Sequence, residues 1–262
     1  MTTETVGFAL PSSRSVNVIR SVFPLPLREW FRRQSLALSH RTLFVRRVRD
    51  FNRLRRTTPI GRHFGAERGT PIDRYYIETF LKNHAGDIRG AVLEFGDDTY
   101  TRRFGHDVRR VEVAHGSDGN RNATIVTDIT TGAGIADATF DCIIATQLLP
   151  FVFDTRAVIR TFHRILRPGG VVLVTTPGVS HQISRIDMDR SGDYWRFTSL
   201  SIRKMFEEVF PSPGITIETF GNVLTAAAFL YGLAAEELET RELDVRDPDY
   251  EVSIALRAVK PA

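Results

Sequence analysis

Ala91-Val92-Leu93-Glu94-Phe95-Gly96-Asp97-Asp98-Thr99-Tyr100 is a short apolar run that ends in an acid, one glycine and a tight polar turn. In a parallel α/β sheet, that pattern at the end of the first strand presents backbone N–H groups to a ligand. From residue 91 onward, strand-like and helix-like segments alternate, the arrangement that favours a parallel sheet covered by helices. The spacing predicts strands over 91–95, 108–113, 124–126, 140–146, 170–176, 215–220 and 250–259, the last with Tyr250, Val252, Ile254 and Leu256 on one face. Helices are predicted over 155–166, where Val158, Phe162 and Ile165 form one apolar face, over 199–210, and around 223–238. Upstream, Thr70-Pro71-Ile72-Asp73 is a helix start with Thr as N-cap and Pro at the first helical position, leading to about Asn83.

The composition suits a soluble globular protein: 262 residues with 42% hydrophobic content can hold one large α/β domain with an appendage, or two small domains. One cysteine, Cys142, excludes a disulfide framework and a Cys-based metal site, and the setting it implies is reducing and cytoplasmic. The longest apolar run, 223–235, falls short of the roughly 20 residues needed to cross a bilayer, and no secretory leader is predicted. The charge is divided unevenly. Residues 14–62 carry thirteen arginines against Glu29 and Asp50, a net +11, so the remainder carries −7 within a total of +4. The domain plan is a terminus over 1–13, a basic helical extension over 14–69 and an α/β domain over 70–262.

Three pieces carry a family likeness: Val92-Leu93-Glu94-Phe95-Gly96, Thr139-Phe140-Asp141-Cys142-Ile143-Ile144, and His163-Arg164-Ile165-Leu166-Arg167-Pro168-Gly169-Gly170-Val171-Val172. Together with seven strands in this order, they resemble the class I S-adenosylmethionine (SAM) methyltransferases, over about 70–261. The Arg-Pro-Gly-Gly piece resembles the turn before the fifth strand in the small-molecule "type 11" branch. Asp193-Tyr194-Trp195-Arg196-Phe197-Thr198 is similar to a segment of relatives in sugar and natural-product pathways. The resemblance implies a Rossmann-like, seven-stranded, mostly parallel sheet with helices on both faces, SAM as cofactor and a small-molecule acceptor.

Carried over position by position, the resemblance sets Glu94 and Gly96 against the methionine moiety and Glu112 on the ribose hydroxyls. It sets Asp128 on the adenine amine, with Ile129 flanking the ring, and Gln147 beside the methionine and transfer site. Each has a plainer alternative: a surface acid beside a turn glycine, a solvated strand acid, an Asp capping a turn, a polar loop residue. The turn departs from the family where relatives carry glycine and this chain carries Asp98 and Tyr100. Asp tolerates left-handed angles and Tyr rarely does, so either the turn follows another path or the pocket is altered, with Tyr100 available to cover the cofactor.

Acceptor residues in this fold come from the loop after the fifth strand, here 177–198. His181 is the candidate base, since its unperturbed pKa near 6.5 lets it take a proton at neutral pH; an Asp of the same loop (Asp187, Asp189 or Asp193) raised by burial is the alternative. Tyr194, Trp195 and Arg196 suit stacking on an acceptor and binding its anionic part. No His, Cys, Asp and Glu pattern suggests a metal. For the basic extension the readings are a lid or substrate cap, peripheral contact with an anionic membrane surface, or a solvated face. No interleaved aromatics suggest a nucleic-acid platform. The leading function is O-methylation of a sugar or secondary metabolite. Its rival, motivated by Asp98 and Tyr100, is an inactive methyltransferase-fold binding or scaffold protein. A nicotinamide oxidoreductase is disfavoured because no G-x-G-x-x-G spacing follows Gly96.

Overall fold

The computed structural model describes residues 56–262 apart from Asp118, Arg190 and the side chain of Ile186. The terminus 1–13 and the basic stretch 14–55 lie outside the described residues, so of the extension expected over 14–69 only 56–69 is described. Seven strands form one sheet: β1 (Gly90–Phe95), β2 (Val108–His115), β3 (Ile125–Val126), β4 (Phe140–Thr146), β5 (Leu166–Pro177), β6 (Ile215–Phe220) and β7 (Ser253–Val259). The helices that matter here are α1 (Ile72–Asn83), α2 (Thr99–Phe104), α3 (Thr155–Ile165), α4 (Ser199–Glu207) and α5 (Val223–Leu230).

The strand order is β3-β2-β1-β4-β5-β7-β6, with β1 to β5 parallel and β7 antiparallel to both neighbours. The order reverses between β1 and β4, and their carboxyl ends open the crevice where such sheets bind ligands. Alternation along each strand divides the core into two layers. Leu93, Ile143, Ala145, Val172 and Val174 meet Val158, Phe162, Ile202 and Phe206 of α3 and α4. Val92, Cys142, Ile144 and Leu173 meet Tyr76, Ile77 and Phe80 of α1 and Phe229 of α5.

Local chemistry starts the helices as their sequences require. Asp154 accepts from Ala157 N at 2.9 Å to cap α3. Thr198 with Ser201 and Asn222 with Thr225 form capping boxes at α4 and α5. The start of α1 differs from expectation: Pro71 occupies the N-cap, and Thr70 turns away, its N and Oγ1 donating to Glu236 at 2.8 and 2.7 Å. The helix expected to reach 238 ends at Leu230, because the chain reverses through Gly232 at φ +72°. There Gly61 and Gly232 approach so closely that a Cβ on either would strike the other's backbone. Ile60 N and Gly61 N both donate to Tyr231 O. Arg68 pairs with Glu237, its Nε at 2.8 Å, so 56–69 is bound to the 231–237 turn.

Strand bounds differ from expectation too: β2 runs on to His115 instead of ending at 113, and β5 and β7 also depart. The Arg167-Pro168-Gly169-Gly170 turn lies inside β5 as an irregularity in its register with β4, with Gly169 N donating to Lys260 O at 2.9 Å. Tyr250 and Val252 precede β7, which leaves Ile254 and Leu256 on the α3/α4 face and moves Val252 to the other layer.

At the amino end of the sheet Asp141 accepts from Ala91 N (2.7 Å), Arg109 (2.9 Å) and Arg167 (2.7 Å), joining β1, β2, β4 and β5. Its burial alone would raise its pKa, but these donors hold the carboxyl below the usual carboxylate range. Asp141→Ala should lower stability by about 1–3 kcal/mol in urea unfolding at neutral pH. Because the folded pKa is depressed, the gap between wild type and variant should be present above the ordinary carboxylate pKa and shrink as pH falls through the folded value. A gap that persists unchanged in acid would count against this role.

Candidate active site at the carboxyl end of the sheet

At the end of β1, Glu94 is only 2% exposed. Its oxygens accept from Tyr100 N at 3.0 Å, Thr101 N at 2.8 Å and Thr101 Oγ1 at 2.6 Å, so the carboxylate caps the first turn of α2. Burial raises its pKa, against those hydrogen bonds. Gly96 follows at φ +86°, and nothing lies within 4 Å of the place a Cβ would occupy. It therefore serves both backbone freedom and an open approach for a ligand.

The missing glycines are explained by α2. Asp98 is its N-cap at φ −107°, and Tyr100 sits in its first turn, where no left-handed angle is required. Tyr100 is 6% exposed and packs into the α1/α5 core layer, stacked at 6.3 Å on Phe104 with the Arg74 guanidinium 5.4 Å from its ring centre. The turn takes another path, and Tyr100 belongs to the core rather than covering a ligand.

Across the crevice, the residue after β4 is Gln147, held at φ +51° with its N donating to Thr175 O at 2.9 Å. Both atoms of its side-chain amide are buried without a hydrogen-bond partner among the described residues. The same is true of the hydroxyls of Thr175, Thr176, Ser180 and Ser253 around the adjoining ends of β5 and β7. Unpaired buried amides are costly, and a left-handed glutamine adds backbone strain; the combination marks a place to be completed by a partner beyond the described residues.

The remaining cofactor-side candidates scatter. Asp128 is exposed after β3, and its Oδ1 accepts from Thr130 N at 2.9 Å and Thr130 Oγ1 at 2.8 Å. Ile129 is buried in the α3/α4 core layer. Glu112 lies opposite Leu93, three residues short of the end of β2, and its carboxylate is taken by Thr124 Oγ1 and by Arg110 at 3.5 Å. The structure does not bring Glu112 to the crevice; the strand end carries His115, with Ser117 beyond it. Asn120 Nδ2 donates to Gly96 O there.

On the acceptor side, His181 is enclosed by Phe64 and Phe229, with ring centres at 4.9 and 5.5 Å. Its Nδ1 lies 2.8 Å from Gln182 O. A carbonyl only accepts, so Nδ1 carries the proton and Nε2 of the neutral ring keeps its lone pair. Burial lowers the His181 pKa, opposed by the charge of Asp73 on the first turn of α1; burial likewise raises that of Asp73.

Tyr194 and Trp195, 50% and 38% exposed, pack on Phe153 at 5.4 and 5.6 Å. Trp195 Nε1 donates to Phe153 O at 3.2 Å and Tyr194 N to Pro150 O at 2.8 Å, tying this loop to the segment that follows Gln147. Arg196 does not present a free guanidinium. It meets Asp193 at 2.6 and 3.0 Å and donates to the carbonyls of His181, Gln182 and Trp195. The expectation that it grips an acceptor's anion gives way to a clamp that closes the 181–196 loop.

A family model described as "Methyltransferase domain" matches residues 66–212, more than half of the chain. The chain belongs to the class I SAM-dependent methyltransferases. Among solved structures, phosphoethanolamine N-methyltransferase 2 of Haemonchus contortus, in complex with phosphomonomethylethanolamine and S-adenosylhomocysteine, is similar at 16% identity and TM-score 0.48. The match takes in 72% of this chain and 53% of that one, so it spans about half the length of the Haemonchus enzyme. A SAM-dependent methyltransferase of Archaeoglobus fulgidus matches at 12% identity and TM-score 0.49, over 74% of this chain and 96% of that one. No curated protein matches.

In this methyltransferase the residues that sequence reading missed are Phe64, Phe229 and Asp73, which define the surroundings of His181. The sequence signal for Asp73 was that of a helix-start acid; for Phe64, more than a hundred residues from His181, there was none. Among the described residues no group of three or more His, Cys, Asp or Glu can hold a metal, and no helix is long and apolar enough to cross a membrane. Arg196→Ala should release the loop: amide hydrogen exchange at 181–184 and 193–196 is expected to rise about tenfold or more while the sheet's protection is kept. Unchanged exchange in those amides would remove the clamp.

Proposed function

We propose that this protein transfers the methyl group of SAM to a hydroxyl of a small molecule, a sugar or secondary metabolite, in the cytoplasm and without a metal. The observation that carries the reading is the pair at the switch point: Gly96, left-handed with open space at its Cβ position, and Gln147, left-handed with a buried amide unpartnered among the described residues. Both are features that a bound cofactor would use. When bound, SAM supplies an activated methyl group on a sulfonium centre. The chain's contribution is then positional. Gly96 admits the ligand, Gln147 offers one donor pair and one acceptor, and Asp128 remains exposed for an adenine amine. Glu94 supports the turn from below.

His181 suits the proton-accepting role because burial keeps it neutral and its Nδ1 contact leaves Nε2 free to accept from an acceptor hydroxyl. Tyr194 and Trp195 offer exposed aromatic faces to an acceptor. The basic extension acts as a substrate cap, a reading supported by Phe64 of its described portion lying against His181. The second reading, an inactive scaffold, draws on one observation: Glu112 is spent within the sheet and the described end of β2 supplies no carboxylate for a ribose.

Calorimetric titration separates the two. SAM and S-adenosylhomocysteine should bind, and Gly96→Val should abolish binding while the chain stays folded, since a β-branched residue at φ +86° is strained and fills the open space. Absence of binding to wild type at millimolar ligand supports the scaffold. His181→Ala should lower turnover on an accepted hydroxyl substrate by about 100-fold or more and leave S-adenosylhomocysteine affinity intact. The wild-type rate should fall on the acid side with an inflection below the ordinary histidine value of about 6.5, because a depressed pKa keeps the accepting form populated down to that point. A rate that is indifferent to His181 would discard it as the base.

A further inference from the structure

A cleft of about 710 Å³ opens between 56–64, the loop at 182–185 and the end of α5. Arg56, Arg62 and Arg185 line it together with His63, Phe64 and Tyr231, and among the described residues no carboxylate does. Most other arginines near the surface are matched: Arg68 by Glu237, Arg103 by Glu78, Arg156 by Glu208, Arg164 by Asp137, Arg246 by Glu218. The three in the cleft have no carboxylate within ion-pair distance among the described residues. The nearby acid Glu67 is engaged elsewhere, accepting from Arg62 N and His63 N and lying 3.9 Å from the His63 ring.

Like charges left unpaired in one concavity repel each other and cost stability unless an anion joins them. Guanidinium forks match the oxygens of phosphate, and three formal charges suit its dianion better than a single carboxylate. The cleft is also joined to the catalytic side of the molecule. Gln182 Nε2 donates to Arg62 O at 2.7 Å, and Phe64, part of the cleft wall, lies against the His181 ring at 4.9 Å. A phosphate held in the cleft would thus lie on the far side of Phe64 from the candidate base, so the rest of the molecule has to pass the edge of that ring to reach His181, which does not itself line the cleft. The apolar parts of Phe64 and Tyr231 and the cleft volume suit an organic molecule rather than a bare ion.

We propose that this cleft binds the phosphate group of a small molecule and, resting on the methyltransferase reading above, that this molecule is the methyl acceptor. The acceptor is then a phosphorylated or nucleotide-linked hydroxyl compound, gripped by its phosphate in the arginine cleft with its hydroxyl directed toward His181. Arg62 and Arg185 hold it, the role the sequence suggested for Arg196.

The test is calorimetric titration of the full chain with inorganic phosphate at constant ionic strength, for wild type and for the double variant Arg62→Ala, Arg185→Ala. Both side chains can be removed without touching the backbone bonds at Arg62. One phosphate should bind the wild type, and the variant should bind about tenfold more weakly or worse, with S-adenosylhomocysteine affinity unchanged. Equal phosphate affinity in both, or none in wild type, overturns the proposal. Sedimentation with phosphatidylcholine vesicles, with and without phosphatidylglycerol, distinguishes a lipid headgroup. Arginine-dependent binding to the anionic vesicles that free phosphate fails to displace overturns the small-molecule assignment. Phosphate binding that depends on the arginines in a chain that binds neither SAM nor its product keeps the anion site and removes the methyltransferase reading.

Discussion

A buried carboxylate under a helix end governs the crevice. Glu94, at the end of β1, accepts two backbone N–H groups and one hydroxyl from the first turn of α2. Its burial raises the cost of its charge, and the helix N-terminus with its donors offsets that cost. Because the carboxylate draws the chain directly into a helix after Asp98, the turn needs only one left-handed residue, Gly96. Asp98 and Tyr100, where relatives carry glycine, are compatible with this path, and Tyr100 adds a ring to the α1/α5 core layer.

The opposite wall is built differently. β4 is followed by a left-handed glutamine whose amide has no partner among the described residues, beside hydroxyls of Thr175 and Ser180 that are equally unpaired there. Elsewhere the fold pairs its polar groups closely: Asp141 is met by three donors, Asp87 by Arg257 at 2.7 and 2.9 Å and by His84, and Arg196 by five acceptor contacts. Unpaired buried groups of the described residues gathered at one edge point to that edge as a place of ligand contact.

Much of this architecture was legible because strands and helices announce themselves by period. Val92 and Leu93, or Ile143 and Ile144, face opposite layers as neighbouring strand residues must, and Asp154, Thr198 and Asn222 cap the helices they precede. The misreadings are instructive in physical terms. Thr70 has the chemistry of an N-cap, but instead of accepting from the helix it donates through N and Oγ1 to Glu236, far away in sequence. Glu112 looked like a strand-end acid because the apolar pattern fades at 113, whereas β2 runs on to His115. Arg196 looked like a free cation because sequence does not show that Asp193 and three carbonyls would surround it.

By itself the sequence determined the order of the elements, the Glu94-to-Gly96 turn and hence the family, since these depend on local period, caps and one obligatory left-handed glycine. Only the tertiary structure decided which charged groups remain available. Pairing is settled by distance in space: it consumed Arg196 and Glu112, placed Phe64 and Phe229 around His181, and left Arg56, Arg62 and Arg185 together without a carboxylate among the described residues.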